Sequence, residues 1–249
     1  MHDSRTAVAS EIPQNPSIWR GKDLARTRVP GISTGFVSLD AELPGGGWPV
    51  SNLTEIMPAH EGIGELRFLS PALAALSQSG KYIAWINPPY LPYAPAIAAA
   101  RIILQTVLIV KTAGARETLW AAEQALRANA CGAVLVWPGP TVDYAALRRL
   151  QMAAEGSHTI SFIFRPVSAG MTASPAPLRL RLETSCGDLA VQILKRRGNP
   201  ASRPVVLAAR ELLPLPTETG YARNTVPSLD RHSSAGTAGG ALPPSSLHA

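Results

Sequence analysis

The sequence predicts a wound α/β fold with a mostly parallel central sheet and an antiparallel C-terminal extension. Short apolar runs typical of buried strands alternate with segments whose apolar residues recur every three or four positions. A parallel sheet covered by helices accounts for this alternation, because each helix carries the chain back to the start of the next parallel strand. After residue 177 two alternating runs follow each other around a Cys-Gly-Asp turn, which predicts a hairpin.

The predicted elements follow one another closely along the chain. Leucines at one-turn spacing predict a helix from Leu66 to Leu76, and Gly80 ends it. The other helices are expected at 94–104, 118–128 and 144–154. Strands are expected at 53–57, 81–86, 107–110, 133–137, 159–164, 178–183, 189–194 and 205–208.

Composition divides the chain into three regions. Residues 1–30 form a polar N-terminal segment with a short helix predicted near Trp19 to Arg26. Residues 31–212 carry the apolar periodicity and form the core domain. Residues 213–249 are dominated by Ser, Gly, Pro, Thr and Ala, and we expect a disordered tail because they bury too little apolar surface to offset chain entropy.

Composition also limits the class of protein. Hydrophobic residues make up 46% of the 249 residues, which suffices for a large core. No uninterrupted apolar run reaches the length of about 18 residues that a membrane span needs, and the N-terminus carries charges where a signal peptide is apolar. Two cysteines, Cys131 and Cys186, are too few for a disulfide framework. We therefore expect a cytoplasmic protein without membrane contact.

The positive charge is concentrated near the C-terminal strands. The chain has a net charge of +6, and the stretch from Arg179 to Arg210 holds seven basic and two acidic residues, a local net of +5. Such a stretch can attract nucleic acid or an acidic protein surface. A solvated sheet face explains it equally well.

A strand, a Gly-rich turn and a helix follow one another from Thr54 to Leu66, which is the context of a phosphate-binding loop. Gly62 and Gly64 suit the turn, but a Walker loop continues with a lysine and a Ser or Thr. Glu65 and Leu66 stand there instead. At about 4 Å and an effective dielectric of about 20, a carboxylate beside a phosphate costs roughly 4 kcal/mol. We therefore expect no bound nucleotide and interpret the two glycines as a plain turn.

Two further parts of an ATP-hydrolysing site are missing. The strand at 133–137 ends in Trp137 where an Asp would hold magnesium, and Asn87 follows the predicted strand at 81–86 where an acid would activate water. The sequence therefore predicts no catalytic residues and no cofactor.

Other conspicuous residues have structural explanations. Trp48 is expected to pack over its glycine-rich loop, Trp137 to lie in the core, and Ser33-Thr34 to form a turn. His60 is expected in solvent. The histidines lack metal-ligand spacing, so no metal is expected; they are His2, His60, His158, His232 and His248.

Several segments resemble a known family. The stretches at 33–35, 39–40, 43–49 and 53–56 look like the opening of a RecA core. More specific segments resemble ImuA, the RecA-like accessory family of bacterial mutagenic translesion synthesis; they are Trp19-Arg20-Gly21, residues 62–66, Glu117-Thr118-Leu119-Trp120 and residues 131–134. The resemblance spans about Trp19 to Arg210. Two departures, Asn52 for a basic residue and Arg101 for a small one, leave it intact.

The resemblance implies a RecA-like core and membership of an SOS-induced module. The implied partners are ImuB, an inactive Y-family polymerase homologue, an error-prone replicative-type DNA polymerase, and RecA. The implied location is the cytoplasm, at the nucleoid during the DNA damage response. The loop 165–177 corresponds to a DNA-binding loop of RecA but holds only one basic residue, Arg165, so DNA contact is expected to be weak or indirect.

Two other functions stay open. Some relatives carry the name of the cell-division inhibitor SulA, so an FtsZ-directed inhibitor is one alternative. A DNA-dependent ATPase with an unconventional phosphate site is the other.

The run from Val191 to Arg197 resembles the RecA strand whose lysines reach the ATP of a neighbouring subunit. It keeps positive charge at both matching places, Lys195 and Arg197, with Arg196 between them. The resemblance implies docking on the ATP face of a terminal RecA subunit, which would cap a filament. The alternatives are a solvated basic edge and a contact with DNA phosphates.

Overall fold

A computed structural model describes residues 31–198 and 203–212, and its centre is one eight-stranded sheet. The strands, in chain order, are β1 (Asn52–Pro58), β2 (Tyr82–Ile86), β3 (Val107–Val110), β4 (Cys131–Val136), β5 (Ile160–Phe164), β6 (Leu178–Ser185), β7 (Asp188–Lys195) and β8 (Val205–Leu207). Their order across the sheet is β3-β2-β4-β5-β1-β6-β7-β8.

Helices fill the connections between the parallel strands. The α-helices are α1 (Val37–Glu42), α2 (Glu65–Gln78), α3 (Ala94–Ala99), α4 (Ala115–Arg127) and α5 (Tyr144–Glu155), with 3-10 turns at Leu104–Thr106, Val167–Met171 and Ala209–Glu211. The six strands from β3 to β6 across the sheet pair in parallel, and β7 and β8 add antiparallel pairs at one side. This confirms the wound α/β class with an antiparallel extension.

The hairpin between β6 and β7 has the backbone that its sequence demands. Cys186 and Gly187 form the two-residue loop, with φ of 53° and 87°. Positive φ at both central positions is the mark of a type I′ turn, whose twist matches that of the flanking strands.

Both faces of the parallel part of the sheet are covered. On one face, residues such as Ile56 and Phe162 pack against Phe68 of α2. On the other face, Ile163 and its neighbours pack against Leu126 of α4 and Leu150 of α5. Burial on both faces explains why the central strands are continuous apolar runs.

Trp48 is buried in the first of these cores. It is 0% exposed, and its ring lies edge-on to Phe68 at 5.2 Å and to Phe162 at 5.0 Å between centroids. Its backbone exchanges hydrogen bonds with Ile32, and a Cβ on Gly47 would lie 2.3 Å from the Ile32 oxygen, so only glycine allows this approach. Trp48 is thus a packing residue, as expected.

The expected helix at 94–104 is wrong in its second half. The helix α3 ends at Ala99, and Arg101 has a left-handed φ of 64°. The end of α2 holds the chain in this path, because Gln78 donates to the Arg101 oxygen and Ser77 accepts from the Ile103 amide. Local helix propensity is overridden by these contacts and by the burial of Ile102.

Two expectations lie outside the described residues, namely the short helix near Trp19 to Arg26 and the disordered tail at 213–249. Within the ranges that the structure describes, no helix has both the length and the apolar character needed to cross a membrane.

Replacing Trp48 with Ala is expected to lower the free energy of unfolding by about 3–5 kcal/mol, because a large buried ring is removed from a packed core. Trp120→Ala is the matched control, since that ring is 64% exposed and its loss is expected to cost no more than about 0.5 kcal/mol. Urea unfolding followed by circular dichroism measures both values. Equal losses in the two variants would contradict the assignment of Trp48 to the core.

Candidate functional site

The loop between β1 and α2 lies at the carboxyl edge of the parallel strands. Gly62 and Gly64 have φ of 80° and 106°, a conformation that favours glycine, and α2 begins at Glu65 directly after them. His60 and Glu61 are exposed. The two glycines thus lie in a turn, and His60 lies at the surface as expected.

The side chain of Glu65 folds back onto this turn. Its two carboxylate oxygens accept hydrogen bonds from the Gly62 and Gly64 amides, each at 3.1 Å. Backbone amides at the start of a helix are the groups that hold phosphate in nucleotide-binding loops. In this chain an internal carboxylate already occupies them, and Leu66 follows with no oxygen to offer a metal.

Asn87 and Trp137, the two positions compared with the acids of an ATP-hydrolysing site, also lie at this edge of the sheet. Both contact neighbouring protein groups. The Asn87 side-chain amide donates to the Trp137 backbone oxygen at 3.3 Å. The Trp137 ring stacks on Phe164 at 4.5 Å between centroids and 2° between planes, and lies 6.2 Å from Trp85. Trp137 is partly buried and packs against the main core, in agreement with the expectation.

A hydrogen bond links this loop to the one after β2. The Tyr90 hydroxyl donates to Glu61 at 2.8 Å, and this hydrogen bond, together with the negative charge of Glu61, raises the pKa of Tyr90. The edge therefore presents a carboxylate and a phenol instead of the lysine and acids of an ATPase.

Replacing Glu65 with Ala is expected to free the Gly62 and Gly64 amides and to cost about 0.5–1.5 kcal/mol of stability. Hydrogen exchange of these two amides, measured by NMR, should accelerate in the variant. Glu61→Ala is the control, because Glu61 bonds to Tyr90 and to neither glycine. Unchanged exchange in the Glu65 variant would contradict the contact.

A second polar cluster lies inside the protein, and the sequence analysis missed it. Glu55, in the middle of β1, is 0% exposed. Its carboxylate accepts from Arg179 Nε at 2.8 Å, lies 3.4 Å from Arg165 Nη1, and accepts a short hydrogen bond from the Ser174 hydroxyl. The available signal was an acid beside two apolar residues of a central strand, where burial tolerates a charge only with partners.

This cluster holds the segment 165–177 against the sheet. Arg179 also donates to the backbone oxygens of Ala169 at 2.6 Å and Thr172 at 3.1 Å. Arg165, the one basic residue of that segment, is 7% exposed and points inward to Glu55. Its guanidinium is therefore not presented to solvent, where a nucleic acid backbone would meet it.

Replacing Glu55 with Gln is expected to lower the free energy of unfolding by about 3–5 kcal/mol, because two buried guanidinium groups lose their counter-charge. Glu183→Gln is the matched control, since Glu183 pairs with Arg181 where both side chains are at least 40% exposed. That loss should stay below about 1 kcal/mol. If both variants lose a similar free energy of unfolding, the buried cluster stabilises the fold no more than a surface ion pair does.

The three basic residues at the end of β7 are adjacent in sequence but contact different elements. Lys195 donates to the Ser174 oxygen at 2.8 Å, Arg196 pairs with Glu42 at 2.7 Å, and Arg197 lies 3.4 Å from the Asn52 side-chain oxygen. Burial, and then the charge of Arg179, lower the pKa of Lys195, while Glu55 acts in the opposite direction. Arg197 meets the first residue of β1, at the end of that strand opposite to the glycine turn.

The remaining sequence candidates have structural roles or none. The Ser33 hydroxyl accepts from the Gly35 amide at 3.1 Å, and Asp40 accepts from the Thr34 amide at 2.8 Å, so the turn interpretation is confirmed. Across residues 31–198 and 203–212, no group of three or more His, Cys, Asp or Glu side chains could hold a metal ion.

Comparison with known proteins shows a partial similarity to a curated protein. No protein-family model matches the chain. Over 109 residues the chain is 28% identical to the cell division inhibitor SulA of Edwardsiella piscicida, a stretch that covers 44% of this chain and 64% of that relative. The chain thus spans less than two thirds of the relative's length. This similarity agrees with the SulA name carried by some relatives and does not single out ImuA.

Proposed function

We propose that this protein is a non-catalytic accessory protein of the SOS DNA damage response that acts by binding other proteins. The observation that carries the proposal is the Glu65 carboxylate bonded to the Gly62 and Gly64 amides. The finer proposal is an ImuA-like role in mutagenic translesion synthesis on a RecA-type core, supported by the sequence resemblance and by a mostly parallel sheet with an added antiparallel hairpin.

A nucleotide would have to displace a carboxylate that is covalently part of the same loop. The displaced charge would remain close to the phosphates, at a cost of roughly 4 kcal/mol for one pair at about 4 Å and an effective dielectric of about 20. Asn87 and Trp137 cannot replace the acids that hold magnesium and activate water. These points favour a binding protein over the alternative of a DNA-dependent ATPase.

We expect no ATP hydrolysis by the full chain, with or without single-stranded DNA, because the lysine, the hydroxyl and both acids are absent. A steady-state ATPase assay with RecA as the positive control measures this. A turnover close to that of RecA, abolished in a Gly64→Pro variant, would favour the unconventional ATPase instead.

The proposed partners are an ImuB-like inactive polymerase, an error-prone replicative-type polymerase and RecA. Their support is the resemblance, together with the position of the basic residues. Arg197 meets the start of β1 while the disabled loop follows its end. A subunit with charges on one face and no working nucleotide site on another can enter a head-to-tail assembly on one side only. Such a subunit would end a filament.

The double variant Lys195→Glu, Arg197→Glu is expected to bind RecA at least about 30-fold more weakly, because a charge contact with a neighbouring nucleotide contributes roughly 2–5 kcal/mol. Surface plasmon resonance on RecA filaments measures this, with circular dichroism to verify folding. The control is Lys81→Glu, Arg101→Glu, which makes the same charge change at two exposed positions, directly before β2 and after α3. If both double variants lose the same affinity for RecA, the effect comes from the overall charge of the protein and not from Lys195 and Arg197.

A second candidate function is inhibition of cell division, favoured by the 28% identity to SulA. Expression in undamaged rod-shaped cells separates the two candidates. A division inhibitor makes the cells grow into long undivided filaments, and a translesion accessory protein leaves cell length unchanged. A tagged chain recovered from DNA-damaged cells should retain a Y-family polymerase homologue under the first candidate and FtsZ under the second.

A further inference from the structure

A groove lies between α4 and α5, the two helices that cover one face of the sheet. It has a volume of about 360 Å³, and its apolar lining includes Leu119, Val142 and Leu150. Leu150 is 1% exposed and belongs to the core, so the floor of the groove is continuous with a rigid, packed interior. The floor is therefore preformed, which lowers the entropic cost of binding.

Trp120 stands at this groove with 64% of its surface exposed. Trp48 and Trp85, by contrast, are at most 3% exposed, and Trp137 stacks on Phe164. Within the described part of the chain, the Trp120 ring contacts no other aromatic ring. A large exposed indole beside an apolar floor is the kind of side chain that dominates the energy of protein interfaces.

The charges available at the groove are positive. Arg116 and Arg149 line it, and neither has an ion-pair partner among residues 31–198 and 203–212. The two acids of the lining are already engaged, because Glu123 pairs with Arg127 at 2.6 Å and Asp143 accepts from the Ala146 amide, also at 2.6 Å. The start of α5 further offsets the charge of Asp143.

We propose that the groove is a docking site for a peptide segment of a partner protein, with an apolar side chain placed against Trp120 and Leu119 and carboxylates directed to Arg116 and Arg149. The inference rests on the proposed function, since it supplies a partner-binding protein with its surface. A peptide fits better than a nucleic acid, because the apolar floor and the exposed indole offer contacts to an apolar side chain, and the groove has two arginines, without an ion pair in the described residues, to receive carboxylates.

The probe is a synthetic peptide of about twelve residues, made of glutamate and leucine around a central phenylalanine. It is titrated into the 15N-labelled full chain, and the Trp120 indole resonance is assigned with a Trp120→Phe variant. We expect a saturable shift of that resonance. The affinity should fall at least tenfold in the double variant Arg116→Glu, Arg149→Glu.

Three controls make the result decisive. The variant Lys81→Glu, Arg101→Glu makes the same charge change at two exposed positions outside the groove and should bind the peptide as the native chain does. A peptide with lysine in place of glutamate should not bind. Single-stranded oligothymidine should leave the Trp120 resonance unmoved.

The proposal is overturned if the acidic peptide gives no saturable shift at millimolar concentration, or if the lysine peptide binds equally well. A Trp120 shift with oligothymidine alone overturns it in favour of a nucleic acid site. If the groove binds no peptide but the tagged chain still retains its polymerase partner, the groove proposal is wrong and the proposed function stands. If the chain hydrolyses ATP and the groove still binds the peptide, the proposed function is wrong and the peptide site stands.

Discussion

The structure depends on one buried carboxylate. Glu55 lies in β1, between β5 and β6, and its charge is shared by Arg165 at the end of β5 and Arg179 at the start of β6. The two arginines are each 7% exposed and have this single carboxylate as their common counter-charge in the described residues. Breaking such a group is expensive because it leaves charge in a medium of low polarity. The cluster thereby fixes the segment 165–177 and the point where the parallel sheet meets its antiparallel extension.

A second carboxylate, that of Glu65, stabilises the turn that follows β1. There the glycine turn keeps the backbone of an anion site, but Glu65 fills that site from within. The same backbone geometry that favours a phosphate favours a side-chain carboxylate, since both accept hydrogen bonds from amides at a helix start. In this chain the anion that bonds to both amides of the turn is the Glu65 carboxylate.

The sequence predicted most of this fold because the central strands are apolar runs buried on both faces and the turns are marked by glycine. It failed at residues 100–104, where contacts from Ser77 and Gln78 decide the path and no local signal exists. At the candidate site the sequence shows Glu65, Asn87 and Trp137 directly, but it gives no sign that Glu65 folds back onto the turn. It also missed Glu55, whose partners are more than a hundred residues away in the chain. Long-range ion pairs leave no periodic pattern, so only the sheet topology reveals them.

We propose that Glu65 closes the Gly62 and Gly64 amides to nucleotides. The resonances of these amides can be followed by NMR while Mg²⁺ and ATP are added together to the native chain and to Glu65→Ala. We expect both resonances to stay unmoved in the native chain, and any response to the nucleotide to appear only after the carboxylate is removed. A saturable shift of both amides in the native chain would contradict it.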